Sequence, residues 1–104
     1  MTILLEMNMT GTQRQIADVC DDIKELLLYK NEKYGDSALK PCRIFSHSTA
    51  VEQLLVRIDD KLNRIMKGAG LLDKDEDVIV DLIGYLVLLK IGLTNEQMES
   101  KNEV

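Results

Sequence analysis

Apolar positions recur with a period near 3.6 in three separate runs, and each run predicts one helix. The first is Ile16, Val19, Cys20, Ile23, Leu26 and Leu27, with Asp18, Asp21, Asp22 and Glu25 on other faces. Thr10 and Gln13 stand at capping-box spacing before it, so the helix is expected to begin near Thr10. It should run to about Lys30 or Lys33 and stop before Gly35. The second run is Leu54, Leu55, Ile58, Leu62, Ile65 and Met66. Thr49 and Glu52 repeat the capping-box spacing, Ser46 and Ser48 are rival caps, and Gly68-Ala69-Gly70 ends the helix. The third run, Val78, Ile79, Leu82, Ile83, Leu86, Val87 and Leu89, is apolar nearly all round. Leu71 and Leu72 plug the connection before it, and Asp73 or Asp75 is expected to cap it. Gly92 is expected to end it. Thr94 and Gln97 would then cap a short C-terminal helix whose last residues, 98–104, fray.

Between the first two helices, residues 34–47 read as an irregular connection that holds Pro41 and the only histidine, His47. A connection of that length is long for a compact domain and is often functional. Residues 1–9 carry Ile3-Leu4-Leu5, an arm or strand that packs on a partner. The chain is thus expected to form one all-α domain over residues 1–104, a three-helix bundle with a short fourth helix. A helix apolar on every side has to be covered on more than one. Three helices supply too little protein for that, so a homodimer or homotetramer is expected to complete the bundle.

Composition narrows the picture. With no Trp and one Phe among 104 residues, the core must be aliphatic. A net charge of −5 argues against broad binding to nucleic-acid duplexes or membrane surfaces, which requires excess Lys and Arg. Cys20 and Cys42 are too few for a disulfide framework and fit buried or idle thiols in a reducing compartment. The opening MTILLEMNM lacks a basic n-region. The longest apolar stretch, Leu82 to Leu89, is too short to span a bilayer. A cytoplasmic protein is expected.

The candidate chemistry centres on the third helix. Asp77, Asp81 and Tyr85 fall at i, i+4 and i+8 on one face, with Glu76 beside them. Asp81 interrupts the apolar segment VIVDLIGYLVLL. A buried carboxylate is costly unless it is paired or binds a metal. Gly84, unfavourable in a helix interior, would let another backbone or a ligand come close. Clustered hard oxygen ligands suit Mg²⁺ or Mn²⁺. The alternative is that Asp81 pairs with Arg57, Lys61 or Arg64 of the second helix. Those three form a basic stripe at i, i+4 and i+7, with Asp59 and Asp60 among them. The stripe suits a metal-bridged phosphate, or else a solvated face of i,i+4 pairs. The segment from Lys30 to Ser37, with Asn31 and Tyr34, offers contacts to phosphate, ribose or base, or else a helix C-cap at Gly35. His47 stands alone. There is no P-loop, no nucleophile elbow and no CxxC.

Three segments in order, LLLYKNEKYGDSAL, VRIDDKLNRI and EDVIVDLIGYLVLL, resemble a phage and bacterial family. That family is the nucleotide modification associated domain, type 1, and is similar to the MazG-like all-α nucleoside triphosphate pyrophosphohydrolases. The likeness runs from about residue 25 to residue 91. It rests on Lys30, Asn31, Tyr34, Gly35, Asp36 and Ser37; on Arg57, Asp60, Lys61 and Arg64; and on Glu76, Asp77, Asp81, Leu82 and Tyr85. The resemblance implies a MazG-like bundle in which helix-borne acids bind Mg²⁺ or Mn²⁺ across a nucleotide's phosphates. Water then attacks, releasing a nucleoside monophosphate and pyrophosphate. Carried onto this chain, it implies metal at Asp77 and Asp81, with Asp60 and Glu25, and Glu76 as the catalytic residue orienting water. It implies nucleotide contacts at Lys30, Asn31, Tyr34, Arg57, Lys61, Arg64 and Tyr85. The chain departs from the hydrolases at Val78, which stands where a second glutamate is usual. Asp22 and Glu25 keep three-residue spacing on the early helix, and the implied metal set is either incomplete or shifted toward Asp60. The competing reading is a non-enzymatic helical interaction protein that binds a host protein or sequesters a nucleotide.

Overall fold

The computed structural model describes residues 8–68, 70 and 77–102. The N-terminal arm up to residue 7, the plug at Leu71 and Leu72, the expected caps Asp73 and Asp75, and Glu76 lie outside these residues. Among the described residues the protein is all-helical, with no strand. Three helices follow in order: α1 at Gly11–Tyr34, α2 at Ala50–Met66 and α3 at Val78–Asn102. Packing divides the chain into two units, Met1–Lys33 and Tyr34–Val104.

The first unit is carried by α1. Its start is the expected capping box in full. The Thr10 amide donates to Gln13 Oε1 at 3.0 Å, and the Gln13 amide donates to Thr10 Oγ1 at 3.1 Å. Ile23 is the buried member of the apolar stripe, Leu26 and Leu27 are half-buried, and Ile16 and Val19 are exposed. Near the C-terminus the Lys33 ammonium lies 5.8 Å from the Tyr29 ring centre, one turn away, at cation–π distance. Gly35 takes φ +76°, the left-handed conformation that terminates helices.

The second unit is a helical hairpin entered through an irregular loop. The Leu39 and Lys40 amides both donate to the Asp36 carbonyl, closing a turn. At the start of α2 the Ser46 and Ser48 hydroxyls bond each other at 2.8 Å, so the rival caps are occupied. Thr49 is the cap: its Oγ1 accepts from the Glu52 amide at 3.1 Å. The helix ends where Gly68 takes φ +95° and its amide donates to the Ile65 carbonyl.

Two expectations for α3 are corrected. The helix does not end at Gly92, and no separate C-terminal helix follows. It continues unbroken to Asn102, through most of the stretch expected to fray. Thr94 caps nothing, because its hydroxyl donates back to the Lys90 carbonyl at 2.9 Å within the same helix. Asp77 occupies the capping position, its Oδ1 accepting from the Val80 amide at 3.1 Å.

The physical role of Gly92 is close packing. A Cβ built there would lie 3.2 Å from Val51 Cγ2 and 3.7 Å from Leu39 Cδ2. The missing side chain thus leaves room for α2 and the loop against α3, at a helix-propensity cost of about 1 kcal/mol. Gly92→Val, with two branches where one atom is already tight, is expected to destabilise by about 1–3 kcal/mol in urea unfolding. An unchanged midpoint would show that this approach is loose.

Val51 and Leu54 of α2 are buried and Val78 of α3 is fully covered. Val51 and Leu54 meet α3 near Gly92, whereas Lys61 meets it at Asp81, so the two helices run antiparallel. One side of α3 is therefore filled by α2. On other sides Ile79, Leu86, Val87, Ile91 and Leu93 are exposed. By length and composition Val78–Lys101 is long and apolar enough to cross a membrane, with mean hydropathy 1.7 in its most apolar stretch. That stretch extends beyond the Leu82 to Leu89 run, and a soluble protein's core helix of such length and composition would be mostly buried. Only 17% of it is buried.

Candidate functional site

The geometry that matters most lies where α2 and α3 cross. The amphipathic stripe of α2 turns Leu54 and Ile58 inward, which places Lys61, seven residues beyond Leu54, on the same side. On α3, Asp81 lies one turn after the Asp77 cap. The Lys61 ammonium and Asp81 Oδ2 are 3.1 Å apart, and the side chains are only 12% and 23% exposed. Of the three partners the sequence offers Asp81, Lys61 makes this ion pair. At 3.1 Å it is also a charge-assisted hydrogen bond. It is less screened than a surface pair, yet it retains enough water contact to avoid the full desolvation penalty of a buried one.

The remaining candidates fall into groups. Tyr85, one turn beyond Asp81, is half-buried on the same face. Arg57, Asp60 and Arg64 flank Lys61 along α2 and are exposed. Asp77 has one carboxylate oxygen engaged by the Val80 amide, so the backbone at the helix start holds it in place. Lys30, Asn31 and Tyr34 lie on the exposed last turn of α1, and Glu25 is exposed two turns from its end. Glu76 lies outside the described residues.

The donor set tests the expected metal. Among the described residues, no three of His, Cys, Asp and Glu come together in a group able to hold a metal ion. The two carboxylates at the start of α3 have distinct partners, a lysine ammonium for Asp81 and a backbone amide for Asp77. The charge that makes Asp81 tolerable between α2 and α3 is thus supplied by protein. What the arrangement offers chemically is a partly buried anion–cation couple between two helices, with the exposed Arg57 and Arg64 on the same helix as Lys61.

Sequence reasoning did not single out Ile44 and Phe45. The only phenylalanine is 96% exposed, on the loop before α2, and follows Arg43, whose φ of +56° is rare outside glycine. An apolar pair between Pro41 and a helix cap was the available signal. Cys20 and Cys42 are free, and both are exposed rather than buried. No family profile matches the chain, and no curated protein and no solved structure is significantly similar to it.

Proposed function

We propose that the chain is a Mg²⁺-dependent (deoxy)nucleotide-binding protein, a MazG-like nucleoside triphosphate pyrophosphohydrolase of phage or bacterial nucleotide metabolism. It would act as a homo-oligomer in the cytoplasm, the host's where the gene is a phage's. The observation that supports this reading is the Lys61–Asp81 couple at 3.1 Å. A carboxylate set into an apolar helix is held there by a cation that phosphate can draw away. The three-segment resemblance gives that couple a substrate class.

Mg²⁺, or Mn²⁺, bound together with the triphosphate would supply positive charge to polarise the phosphoryl group. Asp81 and Asp77 would be its protein ligands, and Asp60 and Glu25 belong to the set only as the resemblance implies, since no three such carboxylates come together among the described residues. Lys61, released from Asp81, turns its ammonium to the phosphates, joined by Arg57 and Arg64 from the same stripe and by Lys30. Tyr34 and Tyr85 offer rings to the base, and Asn31 offers hydrogen bonds to the sugar. Glu76 orients water.

Pyrophosphate release from a panel of (deoxy)nucleoside triphosphates with Mg²⁺ tests the reading directly. Wild type is expected to turn over at least one of them, and Asp81→Asn to lose at least about tenfold in rate. No turnover, with no nucleotide-dependent shift in melting temperature, rejects it. One observation favours a second reading, a non-enzymatic interaction protein: Lys61 already satisfies Asp81 without a metal. A melting shift with nucleotide alone, and no pyrophosphate, would select nucleotide sequestration.

A further inference from the structure

The feature left unexplained is the side of α3 turned away from α2. Gly92 marks the α2-facing side by its contact with Val51. Ile83 lies about half a turn around the helix from Gly92, and Leu86, Val87, Lys90 and Ile91 join it. These five residues line one shallow, nearly apolar groove. Leu86 is 51% exposed and Val87 and Ile91 are 40% exposed each, large values for branched aliphatics in the middle of a helix.

We propose that this groove is the seat of a second copy of the same chain, docked with its own α3 antiparallel about a two-fold axis at Val87. The proposal rests on the homo-oligomeric part of the reading above and not on its nucleotide chemistry.

The spacing of the stripe carries the argument. Ile83 and Ile91 stand four residues before and after Val87. A two-fold axis through Val87 therefore sets Ile83 of one chain against Ile91 of the other at both ends, and Val87 against itself. This self-complementarity is what an isologous contact requires. Lys90 fixes the direction. A parallel pairing would bring two Lys90 ammoniums together at one level in the seam. The antiparallel pairing separates their levels by about 9 Å along the axis and lets each stem cover apolar surface. The area is adequate too. Leu86, Val87 and Ile91, with Ile79 and Leu93 flanking the groove, expose on the order of 400 Å² together, to which Ile83 and the Lys90 stem add, against about 500 Å² of apolar area per partner in a standard interface.

A lipid surface fits less well. The chain carries a net charge of −5, which anionic headgroups repel. A bilayer crossing would also take Asp81 into hydrocarbon, where an ionised side chain is expensive.

Sedimentation of the full chain at micromolar concentration is expected to show a dimer or an even-numbered multiple of it. Val87→Glu, placed twice per interface by the symmetry, is expected to raise the dissociation constant at least about 100-fold while leaving helical content unchanged. Leu28→Glu, on exposed α1, serves as the control and should not change assembly. In a background with Cys20 and Cys42 replaced by Ser, Val87→Cys is expected to form an interchain disulfide on mild oxidation. Leu55→Cys, on α2, is not. A monomer at every concentration overturns the proposal, as does an oligomer indifferent to Val87→Glu. Partition of a monomeric chain into lipid vesicles also overturns it and identifies a lipid occupant. Loss of pyrophosphate release with assembly intact would leave the interface standing and fault only the nucleotide reading.

Discussion

Leu54→Ala is expected to lower the unfolding free energy by about 3 kcal/mol, the largest loss from any single truncation between α2 and α3. Leu54 has no exposed surface and lies beside Val51 at the point where Gly92 lets the helices approach. Its removal forfeits transfer free energy and leaves a cavity that rigid helix backbones cannot close. For a chain of this size the melting temperature should fall on the order of 15 °C. Met98→Ala, 59% exposed on the same long helix, is expected to stay within about 0.5 kcal/mol of wild type. A small effect at Leu54 would mean that the hairpin is not the stabilising centre of the second unit.

The second large effect belongs to the ion pair. Lys61→Met leaves a carboxylate only 23% exposed without its ammonium, and Asp81→Asn leaves an ammonium 12% exposed without its carboxylate. Each is expected to destabilise by about 1–2 kcal/mol, between an exposed pair's small contribution and the 3–5 kcal/mol of a fully buried one. Replacing both partners with apolar residues, Lys61→Met with Asp81→Leu, should recover most of that loss, because no unpaired charge remains. In a cycle closed with Asp81→Leu as the second single variant, two losses of about 1–2 kcal/mol against a nearly neutral double variant give a coupling of about 2–3 kcal/mol. A coupling near zero would mean that the two charges are solvated independently.

The sequence disclosed the boundaries of α1 and α2, which are set locally, better than those of α3. Thr10 with Gln13, and Thr49 with Glu52, announce α1 and α2 because capping is a local hydrogen-bond arrangement within four residues. Gly35 and Gly68 announce the ends for the same local reason, a left-handed φ. Gly92 misleads because its cause is tertiary. Its φ is ordinary, and the residue is there for Val51 and Leu39, which no local pattern reveals. The cap of α3 was expected at Asp73 or Asp75, which lie outside the described residues, whereas the capping bond, donated by the Val80 amide, is made by Asp77.

The same limit applies to the site. That Asp81 needs a partner follows from the apolar residues around it. Which partner it takes does not follow, because Arg57, Lys61 and Arg64 share one side of α2 and differ only in level along the axis. The antiparallel register, fixed by Val51 and Leu54 against Gly92, brings Lys61 level with Asp81. The exposed side of α3 was foreshadowed by a helix apolar all round, but which residues stay uncovered depends on where α2 lies.

A crystal structure with Mg²⁺ and a non-hydrolysable nucleoside triphosphate bears most directly on the central claim, that Lys61 holds Asp81 ready for exchange. The expected result is an opened pair, with the Lys61 ammonium on a phosphate oxygen and the cation against Asp81. An intact 3.1 Å contact, with nucleotide bound elsewhere or not at all, would show that the couple only joins two helices.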